Sequence, residues 1–471
     1  MAQQLAFPGA EGAGRFTSGG RGTAERPTTV FEVNNLNDDD KPGCLRYALT
    51  QPAAARTVVF RVSGTIHLNS PLSINQPNTT VAGQTAPGDG ICLADYPVEI
   101  HANNVIVRYM RFRMGDKNQN KGKVAGGGGD DAFGGNRNKR LIVDHCTMSW
   151  STDETFSVYE GDSTTLQWNL MSEPLNYSYH FEEGDQDFER HGFGGIWGGQ
   201  HSSMHHNLFA HCNNRTPRWN GSRYTHPAGF ENCDFRNNVI YDWGQNNVYA
   251  GEGGNYNIVN NYYKYGPATN EKVRFQVLNP YKLTTGTNPL PYGKFYLTGN
   301  YVDGSPAITS HNWSGVVMNA GTPADTVLSK VAAPFNLGPV ATQSAHEAYE
   351  AVLRGAGAVL PKRDALDQRI INDVRNRTGG LIDVQGGFPH GTPYSQSQKA
   401  WPVLKSRPAP NDTDHDGMPD AWERAHKLNP KSAADRSKLG AEGYTMLELY
   451  LNELAAPDAA AQSGQAAKPR G

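Results

Sequence analysis

Two kinds of residue in this chain sit at spacings that can do chemistry: arginines gathered around a proline turn, and carboxylates gathered in loops. Arg215 and Arg218 bracket Thr216 and Pro217 in HHNLFAHCNNRTPRW (205–219), with Arg223 close behind. Taken alone, R-x-P-R is compatible with a solvated basic turn. A guanidinium group is also a receptor for carboxylates, because its planar donors hold both oxygens at once. A second set comprises Asp130 and Asp131 in GGGGDDAFGG and Asp153 and Glu154 in SWSTDETFS. Such carboxylates hold a hard divalent cation when the fold brings them together, and are otherwise ordinary loop residues. His145 and His206 lie within apolar stretches and read as packing residues rather than metal ligands.

The third set is the most regular. In NDTDHDGMPDAWE (411–423), Asp412, Asp414, Asp416, Gly417, Asp420 and Glu423 match positions 1, 3, 5, 6, 9 and 12 of an EF-hand loop, with the Met418 carbonyl at position 7. The match predicts a structural calcium site that pins DAWERAHKL and the following MLELYLNEL to the body. The alternatives are a solvated acidic turn and a dockerin-like partner module, although a dockerin normally carries two such loops and this chain has one.

The elements that must position these residues form a repeat. Seven segments share alternating apolar residues, a central polar residue (often Asn) and a further apolar pair: NVIVRYMRF (104–112), LIVDHCTMS (141–149), TLQWNLMS (165–172), SMHHNLFAH (203–211), FRNNVIYDW (235–243), YNIVNNYYK (256–264) and FYLTGNYVD (295–303). The spacing is 24 residues from His145 to Asn169, 31 from Asn207 to Asn238 and 23 from Asn238 to Asn261, with gaps of 38 and 39 that read as coils carrying an insertion. Short strands repeating at this period without helical periodicity predict an all-β solenoid, a right-handed parallel β-helix. Asparagines at equivalent bends are expected to stack and satisfy backbone groups left unpaired by the turn. The glycine-rich loops 114–138 and 173–200 are insertions on the side where Arg215 is expected.

Residues 1–310 are assigned to this solenoid and 311–455 to a C-terminal extension. The extension contains SAHEAYEAVLRGAG (344–357), with a capping box from Ser344 to Glu347, and RDALDQRIINDVRNRTGG (363–380), closed by glycine. Residues 456–471 read as a disordered tail.

Composition agrees with a narrow, polar-surfaced fold: 37% of 471 residues are apolar and the formal net charge is −3. That charge lacks the basic footprint of a nucleic-acid binder, and no apolar run approaches the roughly 20 residues that span a bilayer. Met1 followed by AQQLAFPGAEG reads as a start residue joined to the mature N-terminus of an exported protein, secreted or held in the periplasm or at the cell surface. The five cysteines form no C-x-x-C pair and are expected to be mostly small buried residues, with one disulfide left open.

From AFPGAEGAG (6–14) to about residue 305, with VDHCTMSWSTDE, GGIWGG and HHNLFAHCNNRTPR in that order, the chain resembles polysaccharide lyase family one, the pectate lyases. The extension is similar to those of bacterial members. The resemblance implies calcium-assisted β-elimination of polygalacturonate by a monomer, with Arg215 as the group that takes the C5 proton. The family's two loop aspartates fall on Gly129 and Asp131, with Asp130 as a substitute. On the next coil the acidic positions fall on Asp153 and Ser157, with Glu154 as compensation. A second family arginine falls on Asn220, leaving Arg218 or Arg223 to bind substrate. Arg190 and His191 are the candidates for the family's substrate-binding lysine. Three alternatives remain: a pectin lyase, which Trp150, Trp197 and Trp219 would suit; a hydrolase using Asp130, Asp131 and Asp153; and a non-catalytic carbohydrate-binding protein.

Overall fold

The computed structural model describes residues 3–118, 130–181 and 187–462. Successive short strands alternate among three parallel sheets of ten, eight and nine strands, so each coil adds one strand to each sheet. The ten-stranded sheet runs from Thr29–Val33 to Lys294–Thr298, the eight-stranded from Leu72–Ile74 to Asn279–Pro280, and the nine-stranded from Gly64–His67 to Tyr301–Val302. This is the expected parallel β-helix. Inward-facing apolar residues such as Val107, Val143, Leu166, Met204 and Phe235 form a continuous core.

Each predicted strand is two strands joined by a bend. In LIVDHCTMS, Lys139–Asp144 belongs to the ten-stranded sheet and Thr147–Ser149 to the nine-stranded sheet. His145 makes the bend with a left-handed backbone, φ 53°, and Tyr109, Trp168 and His206 do the same on neighbouring coils. Their rings stack at centroid distances of 4.9, 5.7 and 4.3 Å, which confirms His145 and His206 as packing residues.

One residue further on runs the asparagine ladder. Asn207 Oδ1 accepts from Asn169 N at 2.9 Å and Asn169 Nδ2 at 3.0 Å. The same pair of bonds links Asn207 to Asn238, Asn238 to Asn261, Asn261 to Asn300 and Asn300 to Asn312. Asn169 Oδ1 in turn accepts from Cys146 N. Cys146, rather than His145, is therefore the equivalent of Asn169, and that coil is one residue shorter than the sequence reading placed it.

Coil pairing continues past the expected boundary at residue 310, since Val316 bridges Leu278 and Lys330 bridges Phe295. The extension then packs back along the solenoid. Helices Ala345–Gly355 and Ala365–Asn376 bury Val352, Leu353, Ile370 and Val374 against Leu170, Leu208, Val239 and Tyr241 of the nine-stranded sheet. Asp364 and Asp367, at the start of the second helix, meet the buried Arg113 at 2.5 and 2.7 Å. That helix ends in a left-handed Arg377 (φ 58°) rather than in the expected glycine. Bonds from its guanidinium to Tyr265 O and Asp303 hold the arginine there.

The last helix, Met446–Gln462, passes residue 456, where the tail was expected to begin. The N-terminal segment lies on the ten-stranded sheet, so close that a Cβ on Gly14 would come within 2.6 Å of Leu141 O and Thr165 N. The eight-stranded sheet carries an open cleft. All five cysteines are buried free thiols, so no disulfide joins them. No described helix is long and apolar enough to cross a membrane.

Candidate active site

The cleft, about 340 Å³, lies along the eight-stranded sheet. Its lining includes Asp130, Asp131, Asp153, Glu154, Ser157 and Arg215. These residues come from three coils because each lies just before or, for Ser157, within a strand of the same sheet: Phe133–Asn136, Phe156–Tyr159 and Arg218–Trp219. The pairing of Phe133 with Phe156 sets Asp131 beside Glu154, whose N–H donates to Asp131 Oδ1 at 3.1 Å. Phe193 bridges both Glu154 and Asn214, which brings Arg215 to the same edge. The fold thus gathers Arg215 with both acidic pairs, although 62 residues separate Arg215 from Asp153 in the chain. Gly129 lies outside the described residues.

Arg215 has a left-handed backbone (φ 59°), and its N–H donates to Asn214 Oδ1 at 2.8 Å. Its guanidinium lies 4.4 Å over the Phe193 ring and contacts the Glu154 carboxylate. Oxygens of Asp131, Asp153 and Glu154 converge within 4.8 Å of one another. Burial, and then the charge of Asp153, push the Asp131 carboxyl well above the usual range. Burial also opposes ionisation of Asp153, but the His180 and His191 rings overcome it and hold that carboxyl well below the usual range. His191 Nε2 lies 2.5 Å from Asp153 Oδ1, and His180 stacks on His191 at 3.8 Å. Two neighbouring carboxylates shifted in opposite directions mark a site short of positive charge.

The remaining candidates sit elsewhere. Arg218 is turned toward Glu252 at 3.0 Å and the Trp219 carbonyl at 2.6 Å. It is neutralised there, not aimed at Arg215. Arg223 folds back on Asn220, donating to its backbone O at 2.6 Å and its Oδ1 at 3.0 Å. Arg223 thus sits beside Asn220, the residue on which the resemblance placed the family's second arginine. Arg190 is exposed, stacked on Tyr177 at 4.8 Å. His191 is buried, so its ring meets Asp153 and not solvent. Trp150, Trp197 and Trp219 are all at most 1% exposed and cannot form an aromatic groove lining.

In the loop at 411–423, Asp412, Asp414 and Asp416 converge as predicted. Asp420 does not join them: its carboxylate accepts from Thr413 N at 2.8 Å and Thr413 Oγ1 at 2.9 Å. Met418 packs its side chain into a cluster with Ala82, Leu447 and Leu451. Burial and the neighbouring carboxylates push Asp416 up to about 8 and Glu423 up to about 7.

Comparison with known proteins finds relatives along nearly the whole chain. The probable pectate lyase C of Aspergillus fumigatus is 33% identical, covering 96% of this chain and 94% of its own. That of Aspergillus flavus is 31% identical with the same coverage. The chain belongs to the pectate lyase family. These relatives are fungal, whereas the extension had suggested bacterial members, and their coverage takes in the extension as well as the coils. No protein-family model matches. Among solved structures, Jun a 1, the major allergen from cedar pollen, superposes with a TM-score of 0.51 at 14% identity, covering 74% of this chain and 93% of its own, and shares the fold.

Sequence reasoning about this polysaccharide lyase missed His180 as a neighbour of Asp153. No local signal marks it, because His180 and Asp153 meet only across the 173–200 insertion.

Proposed function

We propose that the enzyme cleaves α-1,4-linked polygalacturonate by β-elimination, with calcium held in the cleft by Asp131, Asp153 and Glu154 and with Asp130 beside them. The observation that carries this reading is the convergence of Arg215 with those carboxylates on an open sheet face. Donors that are all hard oxygens suit calcium, and the mutual repulsion of Asp131 and Asp153 is what a divalent cation relieves. Calcium there would draw charge from the uronate carboxylate and so acidify the proton at C5.

Arg215 faces that proton. The C5–H bond breaks with the proton passing to Arg215, its electron pair becomes the C4=C5 double bond, and the C4–O bond breaks. The departing oxygen is protonated from solvent. A guanidinium is ordinarily charged, so Arg215 must give up its proton to the bulk before it accepts one; in its charged form it offsets the negative charge building on the substrate carboxylate. Arg223, beside Asn220, binds a neighbouring uronate. His180 and His191 position Asp153. The cleft is complete within one chain, in keeping with a monomer, and a polymeric substrate places the enzyme outside the cytosol, as a secreted, periplasmic or surface protein.

The test is the ultraviolet absorbance of unsaturated product from de-esterified polygalacturonate, with calcium and with calcium chelated. Product only with calcium supports the reading, and its absence in both arms overturns it. Arg215→Ala is expected to lower kcat by roughly 10²- to 10³-fold or more with an unchanged melting temperature.

A further inference from the structure

The loop at 411–423 closes on a carboxylate that its motif does not contain. Asp435, in the turn Asp435–Ser437, places an oxygen within 4.8 Å of oxygens of Asp416 and Glu423. Asp416 thus belongs to two overlapping groups, one with Asp412 and Asp414 and one with Glu423 and Asp435. Asp416 and Glu423 are 0% exposed and Asp435 is 1% exposed. Among the described residues, Asp416 Oδ2, both oxygens of Glu423 and Asp435 Oδ1 are nevertheless buried without a hydrogen-bond donor. Buried carboxylate oxygens are normally paired, because leaving one bare costs several kcal/mol. The cations nearby reach only the edge: Arg61 lies 3.7 Å from Asp412 Oδ2 and the exposed Lys438 lies 3.8 Å from Asp435 Oδ2.

We propose that Asp412, Asp414, Asp416, Glu423 and Asp435 form a calcium site separate from the cleft, and that this ion clasps the C-terminal extension to the first coils of the solenoid. Asp435 takes the place that the motif assigns to Asp420. All five side chains offer hard oxygens, the donor set of calcium and not of a softer metal.

The contacts around the loop explain why the clasp is structural. A Cβ on Gly417 would meet Leu447 of the last helix and Val30 and Val59 of the ten-stranded sheet at 3.1 to 3.6 Å. Met418 is buried with Ala82 and Leu447. His415 lies 2.7 Å from Glu32, Arg61 donates to Pro410 O at 2.7 Å, and Arg436 donates to Thr28 O at 3.0 Å. Glu448 of the last helix pairs with Arg21 at 2.6 Å. An ion at the loop therefore orders two segments of the extension against coils formed by residues some 400 positions earlier.

The test uses the full-length enzyme stripped of metal and titrated with calcium alone, without substrate, reading bound ions per chain and melting temperature. Calcium is expected to raise the melting temperature of the wild type by several degrees. Glu423→Gln and Asp435→Asn are expected to bind one ion fewer, or to require at least about tenfold more calcium, and to lose that rise. Without calcium they should melt no lower than stripped wild type, since each removes a like charge; this separates loss of the ion from misfolding. Asp131→Asn, which leaves the loop carboxylates intact, should keep the part of the rise that Glu423→Gln and Asp435→Asn lose. An unchanged wild-type melting temperature, or variants that retain both the ion and the rise, would overturn the proposal. Because neither readout is lyase activity, failure here is distinct from failure of the proposed reaction.

Discussion

Arg215 and Asp153 illustrate how little of a residue's role lies in its own chemistry. Arg215 is one of three arginines within nine residues, yet Arg218 pairs with Glu252 and Arg223 is held by hydrogen bonds to Asn220. Only Arg215 lines the cleft with the carboxylates. Asp153 stays ionised beside a like charge because two histidine rings face it. His191→Gln removes the ring at 2.5 Å and should raise the calcium needed for half-maximal activity by about tenfold, a typical effect of losing a group that orients a ligand. Turnover at saturating calcium should stay within a few-fold. Equal calcium dependence in both proteins would show that His191 is only packing. The arginine cluster was legible in the sequence; which arginine faces the cleft was not, because that depends on partners supplied by other coils.

At the scale of elements, the bends carry much of the solenoid's specificity. Asn207 bonds to Asn169, Asn238 and Leu166 O in a fully buried position. Asn207→Ala leaves several buried backbone groups unpaired and should cost about 3 kcal/mol, read as a lower urea midpoint at unchanged slope. A second element contact is pH-dependent. His211, just beyond the strand Leu208–Ala210, is 2.7 Å from Asp242 and 3.7 Å from Asp373 of the helix Ala365–Asn376. Burial works against its charge, but the two aspartates prevail and push it up to about 9. The folded protein therefore keeps a proton that the unfolded chain releases near pH 6.5. This stabilisation is complete below about pH 6.5, falls as pH rises, and is gone above about pH 9, a span of about 3 kcal/mol. His211→Gln should flatten that part of the stability profile relative to wild type. The ladder was legible from the recurring Asn. The bend that splits each segment into two strands was not, because alternation of apolar residues continues across it.

For the whole molecule, the extension shares cores with the coils. Leu353 and Val374 pack on Leu208 and Val239, and Arg113 is buried against Asp364 and Asp367. Scanning calorimetry should therefore show one cooperative transition, with van't Hoff and calorimetric enthalpies in agreement. Two separated transitions would mean that the extension folds as its own domain.

The amino-acid sequence by itself determined the solenoid, because a repeat of short apolar strands with Asn recurring beside the bends can bury its faces only by stacking on itself. Arg215, the acidic pairs and the aspartates at 412, 414 and 416 were also legible, since each is a run of neighbouring residues that the fold keeps together. Tertiary structure alone decided what lies across a gap. It brought His180 and His191 to Asp153, turned Asp420 away to Thr413, brought Asp435 to Glu423, and buried three tryptophans that had suggested an aromatic groove. His180 and His191 reach Asp153, and Asp435 reaches Glu423, from separate loops; even the turn of Asp420 to Thr413, within one loop, follows from loop geometry that residue spacing does not record.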